Sequence, residues 1–357
     1  MTSRPGIAII GAGIFVRTQY IPRFAEISNL LILKAIWSRS EASSKTTVDI
    51  AKEHFIDVEC KWGEDGLDEI AKDESIHAVA VVLAGQAQVD ISLRFLRAGK
   101  HVLQEKPAGC SVKELELALS SYNYLPVKSR PIWAIAENYR FEAALVEGRK
   151  IVKDIGPMMS VQVIVEGSMN NSNPYFPSTW RRNLSGAFIM DMGVHFIAGL
   201  RMLVGCEVTS VNAITRHVDA SLPSPDTLSS VFELENGCSG IFVMVVSSRA
   251  PKIFWRVVGM NGTLQVERAA DRPMYRVLLD MGGGQSTSTC YPFGGVNEEL
   301  TEFCKTVSEA NLKKENGFQC DCRLTFLEGA KDVAVLEAML ESAAKGGSNL
   351  RVASWQS

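Results

Sequence analysis

An aspartate and a histidine stand four residues apart in an otherwise apolar run, SGAFIMDMGVHFIAGLRMLVG, as Asp191 and His195. With a helix over Ser185 to Val204, Phe188, Asp191, His195, Ala198 and Met202 share one face, because residues three and four apart stack over one another. That face reads as buried. A charge on a buried stripe costs several kcal/mol unless it is hydrogen bonded or shielded by a ligand. A satisfied core pair and a catalytic acid/base pair both meet that demand, and the helix alone does not separate them. A second constellation is Gly11-Ala12-Gly13-Ile14-Phe15-Val16, which follows an apolar run and precedes an amphipathic one. There Gly11 permits a tight turn, Gly13 lets the backbone approach a pyrophosphate, and the helix N-terminus stabilises the anion. Val16 occupies the place of the pattern's third glycine. A third is Glu105-Lys106-Pro107, at the end of HVLQ. Pro107 biases Lys106 away from helix, so the lysine projects from the carboxyl end of a strand, where open α/β sheets bind ligands.

The elements that position these residues follow from hydropathy. IAIIG, LILKAIW, HAVAVVL, HVLQ and PIWAIA read as buried strands, and TTVDIAKEHF, VDISLRFLRAG and VKELELALSSYN as helices between them. That alternation predicts a doubly wound parallel sheet, the α/β dinucleotide-binding architecture, over residues 1–136. From residue 137 to 357 the pattern changes. A helical segment around FEAALVEGRKIVKDIG and the strand-like MMSVQVIVEG lead into NNSNPYFPSTW and the helix of Asp191. Then come VTSVNAITRHV, TLSSVFELENG, CSGIFVMVVS, KIFWRVVGMNG and GTLQVER. This predicts an α+β domain on a large, mostly antiparallel open sheet, closed by helices near Glu298 to Glu309 and Thr325 to Ala344. MGGGQSTST, at 281 to 289, reads as a flexible loop and not a phosphate cradle, since no helix follows it.

The second strand ends in Ser38-Arg39. An NAD enzyme usually places an acidic residue near this point, to hold both ribose hydroxyls. A hydroxyl and a planar cation suit a 2′-phosphate instead, so NADP(H) is the preferred cofactor and NAD(H) the alternative.

The chain has 357 residues, above the size at which one core usually stops growing, so two domains are expected. A net charge of -3 and a pI near 6.0, with no basic helix face, argue against nucleic acid or anionic lipid and for a small-molecule partner. No stretch of about 18 uninterrupted apolar residues occurs. MTSRPG carries no signal-type apolar core, so a cytoplasmic protein without a membrane span is expected. The eight cysteines read as reduced thiols, and the isolated Cys320 and Cys322 predict no metal site. Apolar strand residues such as Ile241, Val243, Val245, Phe254 and Trp255 exceed what the few helices of the second domain cover, which predicts a homodimer through its sheet.

Taken together, GAGIFV, RAGKHVLQEKP, GAFIMDMGVH and the tail EGAKDVAVLEAMLESAAKGG resemble the Gfo/Idh/MocA family of oxidoreductases over nearly the whole chain. The resemblance implies a Rossmann domain, with Gly11, Gly13, Ile14, Phe15, Ser38, Arg39, Glu105 and Lys106 at the cofactor. It implies a second domain whose sheet carries substrate contacts and often a dimer interface. Lys106, Asp191 and His195 match the family's lysine, aspartate and histidine, the lysine touching nicotinamide ribose and substrate and the histidine serving as acid/base. Tyr139, Arg140, Trp180 and Arg181 stand where substrate contacts are expected, beside the alternative of packing aromatics and solvated arginines. The chain departs from the family at Ser185-Gly186-Ala187, at Ala198, and at Ala84-Gly85-Gln86-Ala87-Gln88. The implied activity is hydride transfer to or from a carbonyl or alcohol carbon of a sugar, polyol or related molecule. Three alternatives stay open: a non-catalytic NAD(P)-binding regulator, a reductase of C=N or C=C bonds, and a dihydrodiol dehydrogenase.

Overall fold

The computed structural model describes residues 4–270, 272–312 and 320–355. The chain divides into two compact units. The first comprises Met1–Gly109, Lys113–Glu137 and Val296–Ala330, the second Cys110–Val112, Asn138–Gly295 and Lys331–Ser357. The chain passes between the two units more than once, so neither is one continuous stretch.

In the first unit, β1 (Gly6–Ile10), β2 (Ile32–Ser38), β3 (Glu59–Trp62), β4 (Ala78–Val81), β5 (His101–Glu105) and β6 (Trp133–Ala136) form one parallel sheet in the order β3-β2-β1-β4-β5-β6. Strand order reverses at β1 and β4, so the carboxyl ends of those strands flank the crevice in which such sheets bind ligands. Every residue of β1 and β4 is buried, as a sheet covered on both faces requires. The covering helices are α1 (Ile21–Glu26), α2 (Glu41–Ala51), α3 (Gly63–Lys72), α4 (Gly85–Arg97) and α5 (Val112–Asn123). The sequence reading did not anticipate β3 and α3. ECKW is a short edge strand with no buried residue, so it shows no apolar run.

The second unit holds α6 (Ala143–Ile151), α7 (Thr179–Arg182) and α8 (Ala187–Val204), and nine strands. These are β7 (Met158–Ser168), β8 (Val208–Arg216), β9 (Thr227–Leu234), β10 (Ser239–Val245), β11 (Ser247–Gly259), β12 (Thr263–Arg268), β13 (Met274–Asp280), β14 (Ser286–Pro292) and β15 (Leu350–Arg351). Their order is β14-β13-β12-β11-β7-β10-β9-β8-β15, antiparallel except for β7 and β10. MGGGQSTST is therefore not simply a loop: Ser286 onward pairs with β13, and the glycines make the hairpin turn, with positive φ at Gly282, Gly283 and Gly284. Two helices close the chain, α9 (Gly295–Leu312) and α10 (Phe326–Ala344), and α9 packs with the first unit.

α8 lies on the inner face of the nine-stranded sheet. The Trp255 indole of β11 donates to the Phe196 carbonyl at 3.0 Å. A Cβ at Gly199 would stand 2.9 Å from that ring, so the glycine sets how closely helix and sheet approach. The expected single buried face is an underestimate: among Ala187–Val204 only Met192, His195 and Met202 are not buried. Among the described residues α8 is the one helix long and apolar enough to cross a membrane, and 83% of it is buried inside the protein, which is how a core helix of this composition sits.

Candidate active site

In the first unit the chain leaves β1 at Gly11, whose φ is +141° and whose Cβ, were there one, would fall 2.2 Å from the Val82 carbonyl oxygen. Only glycine fits there. Gly13 has open space where a Cβ would be, the room a pyrophosphate needs. Helical backbone starts at Ile14 and Phe15, passes through a π turn over Val16–Tyr20 and continues as α1. The turn is braced from α2. Arg17 Nε donates to Thr47 Oγ1 at 3.0 Å; the Thr47 hydroxyl donates to the Ser43 carbonyl at 3.0 Å, with the Ala12 carbonyl the longer alternative at 3.4 Å. At the end of β2, Ser38 is half-buried and Arg39 exposed, and no hydrogen bond or ion pair holds Arg39 among the described residues. The residues present fit a dinucleotide: a glycine cradle, a helix start and a cation at the second strand.

Lys106 leaves the carboxyl end of β5 half-buried, as expected. Its neighbour Glu105 is buried and accepts the Tyr20 hydroxyl at 2.8 Å. Burial pushes the Glu105 carboxyl up to about 7 against the opposing pull of Tyr20 and Lys106, with Glu137 adding to the rise. Burial likewise holds the Tyr20 phenol well above its ordinary value. Glu105 is thus enclosed by protein, a support for the β5 end, and not an open cofactor contact. Tyr20 was absent from the sequence reading because 85 residues separate it from Glu105.

In the second unit Asp191 is buried and His195, one turn on, half-exposed. Asp191 accepts from Arg181 Nε at 2.8 Å, which brings together two residues predicted separately. The Arg181 guanidinium also lies over the rings of Trp180 and Tyr175, 4.2 Å and 4.6 Å from their centroids. Tyr139 stacks on the His195 imidazole, centroids 4.7 Å apart and planes 19° apart. Its hydroxyl hydrogen bonds Tyr275, whose phenol burial raises well above its usual range. Arg140 corrects the reading. It is buried and donates to Asp332 at 2.6 Å, where it cannot serve a substrate. Asp332 also accepts from Arg201 of α8 at 2.7 Å, and Arg201 in turn bonds Glu207 at 2.6 Å. One carboxylate of α10 therefore ties the turn that carries Tyr139 to the helix that carries His195. Asp332 and Arg201 gave no sequence signal, since each looks like a solvated helix charge.

Residues 6–122 match the family described as "Oxidoreductase family, NAD-binding Rossmann fold", and residues 150–265 the GFO/IDH/MocA C-terminal domain. A protein of Fusarium mangiferae named Dehydrogenase FPY6 is 30% identical over 96% of this chain and 97% of its own length. The chain belongs to the GFO/IDH/MocA family. It is an oxidoreductase of that family, whose first domain is of the NAD-binding Rossmann type. A dTDP-3,4-didehydro-2,6-dideoxy-alpha-D-glucose 3-reductase of Streptomyces violaceoruber is 27% identical over 58% of this chain and 59% of its own. The fold is shared with an inositol dehydrogenase homolog of Azotobacter vinelandii, solved with NADH and myo-inositol, at a TM-score of 0.81, 16% identity and 98% coverage of each chain. The GFO/IDH/MocA membership bears out the resemblance read from the four sequence motifs.

Proposed function

We propose that this protein is an NADP(H)-dependent oxidoreductase that interconverts a carbonyl and an alcohol on a sugar, polyol or related hydroxylated small molecule. The observation that carries the reading is His195: a half-exposed imidazole on a helix otherwise almost wholly buried, one turn from a buried carboxylate. A core pair would bury both members.

A bound nicotinamide dinucleotide supplies or accepts the hydride. The chain's own residues do the rest. In the reducing direction His195 delivers a proton to the carbonyl oxygen as it becomes an alcohol, and in the oxidising direction it removes that proton. The Lys106 ammonium, at the carboxyl end of β5 in the first unit, is a group of the kind that stabilises negative charge developing on a substrate oxygen. Asp191 accepts a hydrogen bond from a substrate hydroxyl, which orients the reacting carbon. Gly11, Gly13, Ile14 and Phe15 hold the pyrophosphate, and Ser38 and Arg39 the 2′-phosphate. The exposed Arg39, which no hydrogen bond or ion pair holds among the described residues, supports NADP(H) over NAD(H). Tyr139 and Trp180 wall the substrate.

A turnover screen with NADPH and NADP+ against sugars, inositols, aldehydes, ketones and cyclic imines tests the reading. Turnover on hydroxylated or carbonyl substrates is expected. Tight cofactor binding with no turnover on any of them points to a regulator and overturns it, and turnover confined to imines reassigns the bond reduced.

A further inference from the structure

A buried carboxylate needs a partner of opposite charge, and Asp191 has one that is itself unusually constrained. The Arg181 side chain is 15% exposed and that of Asp191 5%, with 2.8 Å between Nε and Oδ2. The guanidinium is covered by Tyr175 and Trp180 and donates a further hydrogen bond to Ser178 Oγ at 3.2 Å. Two rings and two hydrogen bonds from four residues fix the plane of the fork, and the fork fixes the carboxylate. Such contacts to a flat, weakly hydrated cation are specific to arginine, since lysine has neither the plane nor the fork. The pair is also neutral as a whole. Removing Arg181 takes one positive charge from beside Asp191, at the place where a substrate hydroxyl is to be bound.

We infer that Arg181 is a positioning residue that acts through Asp191, and that the neutral pair selects an uncharged hydroxyl over a cationic group at the substrate position facing Asp191. Arg181 is then not a direct substrate contact. Its work is to orient the acceptor and cancel its charge, which is discrimination by an unfavourable charge balance as much as by fit. This inference rests on the oxidoreductase reading above.

The test compares the wild type with Arg181→Met, Arg181→Lys, Asp191→Asn and Asp191→Asn/Arg181→Met. Each is assayed on the best neutral substrate from the turnover screen and on its analogue with one hydroxyl replaced by an amine, with NADPH affinity and melting temperature measured alongside. Arg181→Met is expected to lower kcat/KM on the neutral substrate at least thirtyfold, mainly through KM, and to leave NADPH affinity within twofold. The ratio of neutral to amino-substrate kcat/KM should fall at least tenfold. Arg181→Lys, which keeps the charge but not the plane, should restore the ratio without restoring KM. The double variant should be no slower than Asp191→Asn alone, as expected when Arg181 acts through Asp191. If Arg181→Met does not fold, Arg181→Gln, which also leaves Asp191 without its cation, carries the same comparison. An unchanged ratio with a lowered melting temperature overturns the inference and leaves the oxidoreductase reading standing. A wild type that turns over nothing in the screen removes that reading, and the inference with it.

Discussion

At the scale of single residues, the structure separates groups that can meet a ligand from groups that only hold others. His195→Ala and Lys106→Ala should each cut turnover about a hundredfold or more, the usual scale for a positioned acid/base or charge stabiliser. Asp191→Asn should lower activity while leaving the melting temperature within a few degrees. Variants that melt much lower yet turn over normally would make the Asp191 and His195 pair core structure. Arg39→Glu should weaken NADPH binding at least tenfold, about 1.4 kcal/mol, with NADH affected far less. A titration in which both cofactors weaken alike would contradict the 2′-phosphate role. Arg140 shows where residue type misleads. An arginine beside a tyrosine at a domain junction reads as a substrate clamp, yet its partner Asp332 lies 192 residues away in sequence and takes it out of play. Lys106, Asp191 and His195 stand out in the sequence because each sits in a local motif. Tyr20, Tyr175 and Asp332 do not, because what they do depends on neighbours that only the fold supplies.

At the scale of elements, close packing and buried titratable groups give the sharpest expectations. A Cβ at Gly199 would press on the Trp255 ring at 2.9 Å, so Gly199→Ala should cost about 1–3 kcal/mol of stability by forcing α8 off its sheet. Chemical denaturation measures it, and a neutral result would mean the contact relaxes freely. His101, at the start of β5, accepts the Ile132 amide at 2.9 Å on Nδ1. Burial drives its imidazole down to about 4, against a weaker opposing hydrogen bond with Asn311. A folded-state value below the unfolded one, about 6.5, means stability that is full above that value and lost as pH falls from there toward about 4. The melting temperature should therefore drop less between pH 7 and pH 4.5 in His101→Gln than in the wild type. Parallel curves would place the acid sensitivity elsewhere. Sequence patterning found the long strands of both sheets because buried β-strands are apolar. It missed β13, where burial alternates only over its first half, and β14, because Ser286–Pro292 is an outer strand rich in serine and threonine with no buried residue to set an alternation.

At the scale of the whole molecule, the nine-stranded sheet has one face under α8 and another that carries an apolar stripe. Val231 and Ile241 are paired across β9 and β10 and are 55% and 39% exposed, and Val243, Ile164 and Phe254 form the adjacent row on the same face across β10, β7 and β11. Contiguous apolar surface of this kind marks an interaction site. We propose that a second copy covers it, giving a homodimer. Light scattering at micromolar concentration should give twice 39.1 kDa, and Ile241→Lys should shift the mass toward the single chain. A wild-type mass of one chain would overturn the proposal.

The discontinuous make-up of the first unit bears on how the chain is born. Its sheet is complete at Ala136, but α9 brings the buried Leu300, Phe303 and Val307 to the same unit, and Phe326 stacks on Trp133 of β6 with centroids 3.7 Å apart. A ribosome adding about 5–20 residues per second needs on the order of 10–40 s to pass from residue 137 to residue 330. Throughout that interval the nascent dinucleotide-binding unit lacks its last layer. Translation order and assembly order therefore differ here: the first domain to be synthesised is finished only when most of the second has emerged.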